Sequence, residues 1–157
     1  MKDHLRKGVA FGLTSAIITT LGVMVGLHSG THSKMVVISA ILTIAVADAF
    51  SDALGMHISE ESENTHTTKQ IWIATTATFF AKFLFAMTFV VPVLLLPLSV
   101  AIIVSVAFGL CLLTVLSYAI ARAQKKPPWG IISEHIAIAV VVIVITRWLG
   151  DWVATLA

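Results

Sequence analysis

The sequence predicts an all-α integral membrane protein with five transmembrane helices, the N-terminus inside and the C-terminus outside. Three observations predict it. Only 11% of the 157 residues are charged, against about 25% in soluble domains. The mean hydropathy is +0.98. Five apolar segments reach the ~20 residues that a helix needs to span lipid. Ten Lys and Arg with eight Asp and Glu are too few charges to cover a water-soluble globule of this size. That composition argues against a soluble enzyme, a nucleic-acid-binding protein and a disordered chain. A single cysteine, Cys111, excludes an internal disulfide.

The segments run roughly over residues 9–27, 35–58, 71–91, 98–121 and 131–152, within one transmembrane domain covering 1–157. Backbone groups in lipid are satisfied inside a helix, so these are helices and not open strands. The first follows Lys2, Arg6 and Lys7 and is long for a signal peptide. It lacks a small-x-small cleavage site, so it reads as a retained helix. Its small residues Gly8, Gly12, Ser15, Thr19, Gly22 and Gly26 alternate four and three apart. They keep one face narrow, which lets another backbone approach closely. The second follows a turn around Gly30 and carries Asp48 and Asp52. A polar loop from Ser59 to Gln70 leads to the third, which contains Lys82. The Pro92-to-Pro97 turn and the stretch from Gln124 to Gly130 introduce the fourth and fifth. Glu134 is expected in the first turn of the last helix, where the dipole favours an anion.

Lys/Arg asymmetry sets the expected orientation. Lys2, Arg6, Lys7, Lys69, Arg122, Lys125 and Lys126 share the inner side. Lys34 and Arg147 lie at the outer one. Trp72 and Trp129 mark one interface and Trp148 and Trp152 the other. The expected location is the cell membrane rather than an organelle membrane.

Polar residues within the apolar segments carry the functional information. Asp48 and Asp52 are four apart, on one helical face, and Met56 continues that face. Intramembrane carboxylates are costly and default to a functional reading. Carboxylates suit hard divalent ions, and a thioether adds tolerance for softer ones such as Fe²⁺. Ser15 lies about 10 Å from the inner end of its helix and Asp52 about 9 Å, so the two groups share a depth. Glu60, Glu61 and Glu63, with His57 and His66 nearby, read either as a cation-concentrating mouth or as a solvated loop. His28 and His32 lack a third ligand and read as a plain loop.

The stretch Phe11-Gly-Leu-Thr-Ser-Ala-Ile-Ile-Thr-Thr-Leu-Gly-Val-Met-Val-Gly-Leu27 resembles the first helix of the vacuolar iron transporter family. Ala47-Asp-Ala-Phe-Ser-Asp-Ala-Leu-Gly-Met-His-Ile-Ser-Glu-Glu-Ser-Glu63 resembles its second helix and the segment that follows. The resemblance implies a five-helix homodimer carrying Fe²⁺ or Mn²⁺ out of the cytosol by proton exchange, with no permanently bound cofactor. The family's acidic residue in the first helix falls at Ser15. Its Gly, Met and Glu in the second-helix motif fall at Asp48, Asp52 and Met56. The family's cytosolic metal-binding helices have no counterpart here. A dimer is expected to face through the small-residue stripe of the first helix.

Lys82 lies about 16 Å into the third helix from Ile71, and Asp48 about 15 Å into the second from Ile58. Both are near the middle of a ~30 Å hydrocarbon core, so an Asp48–Lys82 contact is expected. In one reading Asp52, with Met56 and Ser15 as auxiliaries, takes the metal. Asp48 then acts as a switch and Lys82 couples metal to protons. In the other, the chain is a non-transporting membrane scaffold whose acids are paired for structure.

Overall fold

The computed structural model describes residues 2–156. They form helices joined by short turns, and no strand occurs among the described residues. Helix α1 spans Lys2–Thr31. The second segment is a continuous path: α2 over Lys34–Thr43, a π-helical turn over Ile44–Asp48, and α3 over Ala49–Ser62. The remaining helices are α4 (Thr68–Thr88), α5 (Val90–Leu95), α6 (Leu98–Ala123) and α7 (Pro128–Ala154). Five stretches are long and apolar enough to cross a membrane: Lys2–Thr31, Lys34–Ser62, Thr68–Leu95, Leu98–Ala123 and Pro128–Ala154. Each outruns its apolar window at one or both ends. Lys, Arg and Glu in those flanks are good helix formers and continue the backbone pattern.

The punctuation differs from expectation in several places, each with a local cause. The first turn falls at His32–Ser33 rather than Gly30. His32 takes the left-handed conformation at φ 53°, and the Ser33 side chain caps α2 by accepting from the Val36 N–H. The loop expected over Ser59–Gln70 shrinks to residues 63–67, because Thr67 and Gln70 form a reciprocal capping box that starts α4 early. Pro92 has no N–H to meet the Thr88 carbonyl, and the helix breaks at Phe89 before resuming as α5. Leu96, preceding Pro97, is extended, as that position requires. Pro128 opens α7, which moves Glu134 out of the first turn.

Helix α1 is the centre of the bundle. It packs most extensively on α4 along its first half and on α7 along its second. The small-residue stripe is what permits this. A Cβ on Gly12 would stand 2.6 Å from the Thr78 carbonyl oxygen of α4, and one on Gly26 would stand 3.0 Å from the Thr146 carbonyl oxygen of α7. Gly8 likewise faces Ala74, Gly22 faces Val142, and Gly30 faces Gly150. The stripe expected to meet a second copy is therefore covered from within the chain. Where α1 turns away from these contacts, Ile17, Leu21, Met24 and Val25 join Val37, Ile41, Phe89, Val93 and Leu113 in the apolar core.

Gly26→Leu should consequently act on the fold. A leucine there must displace α7 backbone, and overpacking a tight contact costs about 1–3 kcal/mol. Thermal unfolding in detergent, followed by circular dichroism, should show a lowered midpoint. An unchanged midpoint would contradict the close α1–α7 contact.

Candidate functional site

Asp48 lies midway along the Lys34–Ser62 path, Lys82 near the middle of Thr68–Leu95, and Ser15 near the middle of α1. Their side chains meet at this shared level. Gly12 makes the meeting possible: a Cβ there would lie 3.1 Å from the Lys82 backbone nitrogen. Its absence brings the Lys82 turn of α4 against α1, within reach of Ser15 on the next turn.

Lys82 is only 1% exposed. Its ammonium donates to Ser15 Oγ at 2.8 Å and to Asp52 Oδ2 at 2.5 Å. It also lies 2.5 Å from Asp48 Oδ2. That contact is of a different kind, because Asp48 Oδ2 has no aligned hydrogen-bond partner. Both carboxylates balance the ammonium's charge at the same distance, and Asp52 and Ser15 also accept hydrogen bonds from it. The expected Asp48–Lys82 contact is present, but Asp52 shares the same cation. The division into one paired acid and one free acid does not hold in this state. The π-helical turn ends at Asp48, immediately before the α-helical turn that puts both acids on one face. Such π-helical turns recur at functional sites.

The acids are open on their outer flank, with side chains 33% exposed at Asp48 and 19% at Asp52. Lysine reaches them from the buried side. Met56 is buried one turn beyond Asp52. The arrangement is chemically a cation site whose occupant is the protein's own ammonium.

The three glutamates at the end of α3 do not behave as one group. Glu60 is fully buried. It is paired with Lys7, and its Oε2 lies 2.8 Å from His4 Nδ1 and 3.8 Å from His66 Nε2. Glu63 is exposed and contacts His66 at 2.9 Å and Lys7 at 3.3 Å. The hydrogen bond from His66, then that from Lys7, holds its carboxyl below the usual range. Glu61 is exposed. A mouth of three solvated carboxylates therefore reduces to Glu61 and Glu63. Sequence reasoning missed His4 and Lys7 as partners of Glu60. They lie more than fifty residues away, and no local spacing signals the contact. His57 meets Thr75 at 3.1 Å and stacks edge-on with Trp72, while His135 meets Ser117 at 2.8 Å.

No protein-family model, curated protein or solved structure matches this chain.

Proposed function

We propose that this chain is a multi-pass protein of the cell membrane, similar to the vacuolar iron transporters, that moves Fe²⁺ or Mn²⁺ out of the cytosol in exchange for protons. The observation that carries this reading is the Lys82 ammonium bound between Asp48 and Asp52 at the middle of apolar helices. Charges at that depth are costly and mark ion pathways. The outward faces support the membrane setting: Phe50, Phe80, Leu84, Ile103, Val144 and Trp148 are all exposed, an apolar surface too extensive for water. The Lys/Arg bias supports an inside N-terminus and an outside C-terminus.

In this reading a divalent cation arrives at the open flank of the acids and replaces the ammonium. The displaced Lys82, parted from its carboxylate partners, passes one proton to the cytosol. Two carboxylates then neutralise the metal's two charges. Release of the metal outside lets Lys82 take a proton from that side, which resets the site. The net exchange is one metal outward for one proton inward. Uptake of Fe²⁺ and Mn²⁺ by proteoliposomes, with luminal pH recorded together, tests it. Metal movement without a proton signal would refute the exchange.

The scaffold reading is favoured by one specific feature, the complete burial of Lys82 among three partners. In it the ion triad is permanent and orders α1, α3 and α4.

We assign the homodimer to the α3 side rather than the α1 stripe. The open flank of Asp48 and Asp52 needs water or protein over it in a membrane. Beside it, Ala47, Ser51 and Gly55 are small, exposed and four apart, and nothing lies near a Cβ built on Gly55. A second copy can approach closely there. Single cysteines at Ser51 or Gly55, in a Cys111→Ser background, should cross-link between copies in membranes. Absence of cross-linking at both positions would place the interface elsewhere.

A further inference from the structure

We propose that His4, Glu60 and His66 form a second metal site, for a divalent transition metal bound through mixed nitrogen and oxygen ligands, at the end of the bundle where α1 begins. It is separate from the Lys82 site and does not depend on transport. Glu60 is eight residues beyond Asp52, about 12 Å further along the helix.

The three residues come from three elements. His4 stands in the first turn of α1, Glu60 in the last turn of α3, and His66 in the link to α4. One atom from each, a ring nitrogen from each histidine and a carboxylate oxygen, lies within 4.8 Å of the others. Ligands about 2.0–2.1 Å from a tetrahedral metal stand about 3.4 Å apart. The observed separations from Glu60 Oε2, 2.8 Å to His4 and 3.8 Å to His66, bracket that value. Small side-chain rotations close the set. The two rings meet nearly edge-on, with centroids 4.6 Å apart, so neither lies flat on the other. Glu63 offers a fourth ligand, with Oε2 2.9 Å from the same His66 nitrogen.

Glu60 is the second reason to read a site here. Its carboxylate has no exposure to water, and its Oε1 is paired with Lys7. A buried carboxylate in that state needs a cation. Lys7 supplies one, but its side chain is 46% exposed on a flexible stem and can swing into solvent. Two imidazoles and two carboxylates are a borderline donor set suited to Zn²⁺, Co²⁺ or Fe²⁺ rather than to Mg²⁺ or Ca²⁺. A bound metal would tie the start of α1 to the α3–α4 link.

Co²⁺ titration of the full-length protein in detergent, stripped with a chelator, tests the proposal by visible absorption. Wild type should show the intense bands of a low-coordinate site, with one Co²⁺ per chain remaining when Asp48 and Asp52 are both changed to Asn. The His4→Gln/His66→Gln variant keeps hydrogen-bonding groups beside Glu60. It should weaken binding by more than about 100-fold, beyond the 10–100-fold that losing an outer-shell partner costs. The Asp48→Asn/Asp52→Asn variant should retain the bands. Lys7→Gln removes the competing ammonium and should tighten binding. Absence of the bands in wild type would overturn the proposal. So would their persistence in the double-glutamine variant, their loss in the double-asparagine variant, or binding in Lys7→Gln that stays the same or weakens.

Discussion

Asp52→Asn should lower metal flux by more than about 100-fold while the protein still inserts and assembles. Loss of an outer-shell partner alone costs 10–100-fold, and Asp52 is proposed as a direct ligand. The change removes one charge with almost no change in volume. The asparagine oxygen still accepts a hydrogen bond, so the Lys82 ammonium keeps an oriented partner there, keeps Ser15 at 2.8 Å, and keeps Asp48 for charge balance. Fold and function are thereby separated. Initial uptake rates in proteoliposomes, normalised to protein recovered in the membrane, read the effect. Wild-type rates in the variant would remove Asp52 from the pathway.

Lys82→Met should produce the second large effect, and its nature separates the two readings of the triad. Methionine fills most of the lysine volume but leaves two carboxylates facing one another without their cation. If the ammonium is a displaceable occupant, its removal leaves a vacant divalent site. Metal binding then persists or tightens, while proton-coupled flux collapses because the group that carries the proton is gone. If the triad is only structural, removing one partner of a buried pair costs about 3–5 kcal/mol, and the variant assembles poorly with no gain in metal binding. Metal binding to the purified variant, measured beside its thermal midpoint, distinguishes these outcomes. A well-folded variant that still exchanges protons for metal would contradict both.

The five helices were legible in the sequence because the hydropathy of each segment is strong and its length is bounded by lipid thickness. The meeting of Asp48 and Lys82 was legible for a related reason: rise per residue converts position into depth, and two opposite charges at one depth attract. Depth carries no information on rotation about the helix axis, so the share that Asp52 and Ser15 take in holding the ammonium was not legible. The π-helical turn over Ile44–Asp48 adds to this. It rotates Asp48 and Asp52 together relative to α2, and its Ile-Ala-Val-Ala-Asp sequence carries no mark of it. The small-residue stripe of α1 was read correctly as a close-packing face, yet its partners, α4 and α7, lie inside the chain. Spacing identifies a face that invites a backbone and does not name the backbone. Burial of Glu60 was illegible for the simplest reason. Its partners His4 and Lys7 belong to the other arm of a helical hairpin, and a charged stretch at a helix end reads as solvated until the fold brings the first turn of α1 against it.

The central claim is that the Asp48–Asp52 pair is a cation site on a transport pathway, occupied by Lys82 when no metal is present. The most direct measurement is metal flux into proteoliposomes across Fe²⁺, Mn²⁺, Co²⁺ and Mg²⁺, comparing wild type with the Asp48→Asn/Asp52→Asn variant at matched protein density and orientation. The account predicts uptake of Fe²⁺ and Mn²⁺ by wild type, accompanied by proton movement in the opposite direction, and background rates in the variant. Equal uptake by the two proteins, or no uptake of any of the four metals by wild type, would contradict it.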